Sequence, residues 1–220
     1  MEIKESIKEI KKQLRLSMNG IVSAHQRKQG LDYKINFGVE IPRLKAIAAN
    51  YQKEKQLAET LWQENIRESK LLAIYLYPTE EFGPATAEKW IAECPFTEIA
   101  DHLCRTLLAT MPDAKSKALH NIRSTGNMTR YCGYSTLSNL FRRGITLDTS
   151  EEETYLKALK ETIGTTESHN PTCNAAIISL TKYTEEDKKK AATISNLIEK
   201  WDTRQNEAIK ILIESIREEE

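Results

Sequence analysis

The chain has 220 residues, 40% of them hydrophobic and 29% charged, and its 32 Lys and Arg balance 32 Asp and Glu. That composition suits a folded protein with a sizeable core, and a formal charge of zero gives no global pull toward nucleic acid. No run approaches the roughly 18 apolar residues of a membrane span, and residues 1–16 alternate charges with Ile and Leu, unlike a signal peptide. A cytoplasmic location without a membrane partner is expected.

Helical periodicity runs through nearly the whole chain. Ile3, Ile7, Ile10 and Leu14 recur every three or four residues and predict an amphipathic first helix. Gly38 and Pro42 bracket a turn, and Pro42 suits the first turn of the next helix, where Leu44, Ile47, Ala48 and Tyr51 continue the stripe. Pro78, Gly83, Pro84, Pro95, Pro112, Gly126, Gly144, Gly164 and Pro171 then punctuate helical stretches of roughly 10–18 residues. No segment alternates apolar and polar residues with period two, so the expected class is all-α.

Amphipathic helices begin near Asn65, Phe96, Met128, Pro171 and Gln205, at spacings of 31, 32, 43 and 34 residues, each preceded by another helix. Helix pairs repeating at this interval predict a right-handed α-solenoid of HEAT-like helical pairs, an armadillo-type superhelix, occupying residues 1–220 as a single domain. An ordinary helical bundle is the plainer alternative. Trp62, Trp90 and Trp201 each precede a second-position helix and read as wedges between paired helices.

The chemistry-bearing residues are sparse. Cys94, Cys104, Cys132 and Cys173 include no CxxC pair and read as buried thiols. His25, His102, His120 and His169 are equally scattered, so neither metal nor cofactor is expected. Lys115, Lys117, Arg123, Arg130, Arg142 and Arg143 lie between Asp113 and Asp148 with no acid among them, which marks them as candidate phosphate contacts. Tyr131 and Tyr134 interleave with these cations; with Phe141 they also fit a core stripe.

Asp101 stands out. Phe96, Ile99, Leu103 and Leu107 form one helical stripe, and Asp101 points about 160–200° away from it. Two readings stay open: a surface pair with Arg105 at i+4, worth about 0.2–0.5 kcal/mol, or a carboxylate facing a functional groove.

Several strings carry a family resemblance. The segment 36–48, NFGVEIPRLKAIA, resembles the opening signature of AlkD-type DNA alkylation repair proteins. The segment 61–67, LWQENIR, resembles the next signature, and Trp90-Ile91 with Asp101 further along resembles the block after it. The likeness extends over roughly residues 1–215. It implies HEAT-like repeats, binding of double-stranded DNA in a groove, and hydrolysis of the N-glycosidic bond of N3- or N7-alkylated purines. It places Asp101 at the catalytic position, but puts Thr97 and Ile178 where aromatic residues are usual and Cys132 where an arginine is usual. The alternative is a catalytically degenerate member that binds DNA or a protein partner without hydrolysis.

Overall fold

The computed structural model describes residues 2–165, 170–185 and 187–201, together with residues 210 and 213. The described residues form α1 (Ile3–Leu16), α2 (Gly20–Lys28), α3 (Ile41–Ala48), α4 (Lys55–Trp62), α5 (Arg67–Leu76), α6 (Pro84–Ala92), α7 (Thr97–Thr106), α8 (Ala114–Asn121), α9 (Asn127–Phe141), α10 (Thr149–Thr165), α11 (Pro171–Thr184) and α12 (Lys188–Ile198). No strand occurs among them; a lone parallel bridge joins Ile35 and Ile66. The all-α expectation holds. No helix among the described residues is long and apolar enough to cross a membrane.

The second helix of each pair begins at Arg67, Thr97, Asn127 and Pro171, within two residues of the starts read from the sequence. The remaining expected start, Gln205, falls outside the described residues. Trp62 and Trp90 are fully buried and Trp201 nearly so, as wedges between helices require. All four cysteines are buried free thiols.

The chain packs as two compact units, Met1–Ala87 and Glu88–Glu220. In the first, α4 pairs with α5, α3 lies on α5, and α1 lies on α4. Ile10 and Leu14 of α1 are fully buried, each contributing about 1.5–3 kcal/mol of apolar burial. The Asn19 side chain caps α2 by accepting from the Ile21 and Val22 N–H groups, and Pro42 sits in the first turn of α3.

Two strings that carry the resemblance turn out to be one structural device. Gly38 has φ +69°, and a Cβ there would lie 2.2 Å from the Asn19 carbonyl oxygen, so only glycine lets this loop pass so close. From α5, the Glu68 carboxylate accepts the N–H groups of Phe37 (3.1 Å) and Val39 (3.2 Å). The Arg67 Nη1 donates to the Val39 carbonyl at 2.9 Å and to Glu68 Oε1 at 3.1 Å. Both ions are buried, where removing one partner of such a pair costs about 3–5 kcal/mol. The loop leading into α3 is thus clamped at Phe37 and Val39 by the residues that follow LWQENI.

In the second unit the second-position helices α7, α9 and α11 lie side by side with α9 central; α8 backs α9, and α10 packs on α11. Gly133 sets the α8–α9 approach, since a Cβ there would meet the Ile122 nitrogen at 2.8 Å and the Ala118 oxygen at 3.0 Å.

Candidate functional site

The layer α7–α9–α11 presents one residue face at four-residue steps: Thr97 and Asp101 from α7, Tyr131, Ser135 and Asn139 from α9, Asn174 and Ile178 from α11. Residues four apart on a helix stack one above the other. All but Asp101 line a cleft of about 360 Å³, with Ser138, Arg142, Pro171 and Ala175 completing it. The opposite face supplies the core, where Ile99, Leu103, Leu107, Cys132, Tyr134 and Leu137 are fully buried.

Asp101 stands beside this cleft. Tyr131 donates its phenol hydrogen to Asp101 Oδ1 at 2.7 Å, and the Ser135 hydroxyl donates to the same oxygen at 3.2 Å. The surface pair with Arg105 is not the arrangement found: the Arg105 guanidinium lies on His102 Nδ1 at 3.0 Å, one turn back on its own helix. Desolvation holds the Asp101 carboxyl above its ordinary range; the Tyr131 and Ser135 donors and the Arg105 charge pull the other way, and Glu98 adds a smaller upward push. Burial and the Asp101 charge together push the Tyr131 phenol far above its usual value, so it stays a donor. The site is therefore a carboxyl gripped at one oxygen by two neutral hydroxyls, with Oδ2 having no partner among the described residues.

The expected cations separate into different fates. Arg142 is exposed and lines the cleft, within the same lining as Tyr131 and Ser135. Arg143 is turned to the backbone, donating to the carbonyls of Ala109 (2.7 Å) and Arg105 (3.1 Å) near the end of α7. Arg130 donates to Asn127 Oδ1 at 2.9 Å on its own helix and acts electrostatically on Tyr134, whose phenol is pushed up to about 12 by burial despite it. It is not among the groups bonded to Asp101. Lys115 pairs with Glu151 at 2.7 Å, and Lys117 lies 3.8 Å from Asp113 and 4.0 Å from Glu88. The acid-free stretch of sequence is therefore not acid-free in space. Arg123 is exposed, with no side-chain partner among the described residues.

The three unusual positions also resolve. Thr97 and Ile178 both line the cleft, and Ile178 is 49% exposed although apolar. Cys132 does not face the cleft: it is fully buried, and its carbonyl accepts the Cys104 thiol at 3.5 Å. The positions that reach Asp101 from α9 are Tyr131 and Ser135, one step before and three after Cys132. Sequence reasoning misses Ser135, Asn139 and Asn174; the signal for the first two is a polar side chain every four residues along α9 from Tyr131.

Paired helices with their second members side by side define a HEAT-like repeat protein. The profile of the DNA alkylation repair enzyme family matches residues 10–192, and the chain belongs to that family. Among solved structures it is similar to one described as "a new family of proteins related to the HEAT-like repeat DNA glycosylases with affinity for branched DNA structures", with a TM-score of 0.76 and 18% identity, covering 100% of this chain and 95% of that one. That likeness establishes the shared fold. Comparison with curated proteins finds no match.

Proposed function

We propose that the chain binds duplex DNA over the α7–α9–α11 face and hydrolyses the N-glycosidic bond of N3- or N7-alkylated purines. The observation that carries this reading is the Asp101 carboxyl, fixed at Oδ1 by Tyr131 and Ser135 beside an open cleft. An alkylated purine is cationic and leaves readily. As the bond from C1′ to the purine nitrogen breaks, its electron pair neutralises the departing base and the sugar gains positive charge. A fixed carboxylate stabilises that cation and orients the water whose oxygen bonds to C1′; the released proton passes to the carboxylate or to solvent. Arg142, exposed at the cleft, suits a backbone phosphate. Metal and cofactor have no part in the reaction so written.

A second reading is a DNA-binding member without hydrolysis. Thr97 and Ile178 favour it, because neither offers an aromatic face to a cationic nucleotide, worth about 0.5–2 kcal/mol each. The affinity for branched DNA attributed to the structural relative points the same way.

Release of N7-methylguanine and N3-methyladenine from alkylated duplex separates the two. The first reading expects release by the wild type and a loss of about a hundredfold or more in Asp101→Asn. Equal release by both proteins removes Asp101 from the chemistry. No release, with salt-dependent binding of duplex or of a four-way junction, establishes the second reading.

A further inference from the structure

Three large apolar side chains crowd the junction of α1 and α2, and all face solvent: Leu16 is 78% exposed, Met18 63% and Ile21 84%. They fall within six residues, whereas Ile145, Ile178 and Leu197 stand far apart in sequence. The backbone beneath them is firmly held. The Asn19 N–H donates to the Phe37 carbonyl at 2.8 Å, the Ser23 hydroxyl donates to the Asn36 carbonyl at 2.8 Å, and the Asn19 side chain caps α2. Arg43 Nε donates to the Ser17 hydroxyl at 3.0 Å, bracing the junction from α3. Gly38 is kept bare of a side chain so that its loop can seat against Asn19. The fold thus fixes a short tip and turns its apolar groups outward.

The surroundings of this tip are cationic. Between Glu9 and Asp32 the chain has no acid and five basic residues, Lys11, Lys12, Arg15, Arg27 and Lys28. Lys11 is tied to Glu64 and Lys12 to Glu9. Arg15, Arg27 and Lys28 are exposed and have no partner among the described residues. Arg15 adjoins Leu16, and Arg27 and Lys28 lie at the far end of α2, about 10–12 Å from Gly20 along the helix.

An apolar tip with Arg15 beside it, and with Arg27 and Lys28 at the other end of α2, fits a ligand with flat apolar faces on an anionic backbone. An opened base step in DNA has both, and Leu, Ile and Met are side chains suited to wedge into one. A lipid surface would fit the charge, but the apolar stripe of α1 that would lie in it is spent on the core, with Ile10 and Leu14 fully buried. We infer that the Leu16–Ile21 tip is a wedge that enters an unstacked base step, so that the protein favours duplexes already opened by a bulge or mismatch. The inference rests on the DNA-binding reading above and adds a second contact, in the first unit.

The test compares the full-length wild type with the triple variant Leu16→Ser, Met18→Ser, Ile21→Ser, in which only exposed side chains change. Matching thermal melts confirm that both are folded. The probes are an intact duplex and the same duplex with a two-nucleotide bulge, each carrying 2-aminopurine beside the site. The wild type is expected to raise 2-aminopurine fluorescence and to bind the bulged duplex about tenfold more tightly, the ratio of one stacking contact. The triple variant is expected to lose both effects and still bind intact duplex. Wild-type binding without the fluorescence rise, or a triple variant that keeps it, overturns the wedge and leaves the DNA-binding reading standing. No wild-type binding to any duplex at low salt overturns both. Loss in the triple variant of binding to phosphatidylserine vesicles, or of self-association in sedimentation, with DNA effects unchanged, assigns the tip to a membrane or to a second copy and overturns the wedge.

Discussion

At the scale of single residues, the decisive contact is between Tyr131 and Asp101. Two neutral hydroxyls grip Asp101 Oδ1, while Cys132, where the resemblance makes an arginine usual, is buried. Desolvation outweighs these two donors and the Arg105 charge, and it holds the Asp101 carboxyl above the ordinary 3.8. The folded protein therefore holds this proton more firmly than the unfolded chain. Its contribution to stability is fully present below 3.8 and is lost as pH rises through the raised value. Tyr131→Phe removes a donor that lowers the titration, so the Asp101 carboxyl carbon should titrate at still higher pH by NMR. The acid limb of any alkylpurine release should move up with it. An unmoved or lowered titration would show that Tyr131 does not govern this carboxyl.

At the scale of elements, α9 does most of the positioning. It lies between α7 and α11, supplies Tyr131, Ser135 and Asn139 to the cleft, and buries Tyr134, Leu137 and Phe141 behind them. Of the interleaved aromatics, Tyr134 and Phe141 belong to the core stripe and Tyr131 to the cleft. The α9 helix can sit so close to α8 because Gly133 lacks a side chain. Gly133→Ala should push α9 away from Ile122 and Ala118, at about 1–3 kcal/mol of overpacking. Urea unfolding should show a lower midpoint at an unchanged slope. A midpoint equal to wild type would mean that the pair of helices yields without strain.

At the scale of the whole molecule, zero net charge conceals a division. The first unit has fourteen Lys and Arg against eleven Asp and Glu, and the second has eighteen against twenty-one, so the formal charges are +3 and −3. The free cations of the first unit, Arg15 and Arg27 among them, are better placed for phosphates than Lys115 and Lys117, which are held by acids. Removing one cation from a phosphate should flatten the dependence of log K on log salt by about 0.9. Arg15→Gln with Arg27→Gln should therefore reduce the slope for duplex binding by about 2, while Lys115→Gln with Lys117→Gln should leave it nearly unchanged. Binding titrations from about 50 to 200 mM salt read both. The reverse pattern would return a phosphate-holding role to Lys115 and Lys117.

Some of this was settled by sequence alone, because it depends on local order. Apolar spacing fixes which face of each helix is buried, and Pro and Gly fix where helices stop, so the all-α class, the helix pairs and the buried Trp62 and Trp90 were legible. The outward direction of Asp101 was legible for the same reason. Its partners were not, since Tyr131 and Ser135 lie 30 and 34 residues away and meet it only when α9 packs on α7. Nor could the sequence show that Glu151 would cross from α10 to take Lys115, or that Arg143 would be turned onto two carbonyls. Periodicity determines the face a side chain occupies; only the packing of helices distant in the chain decides what that face meets.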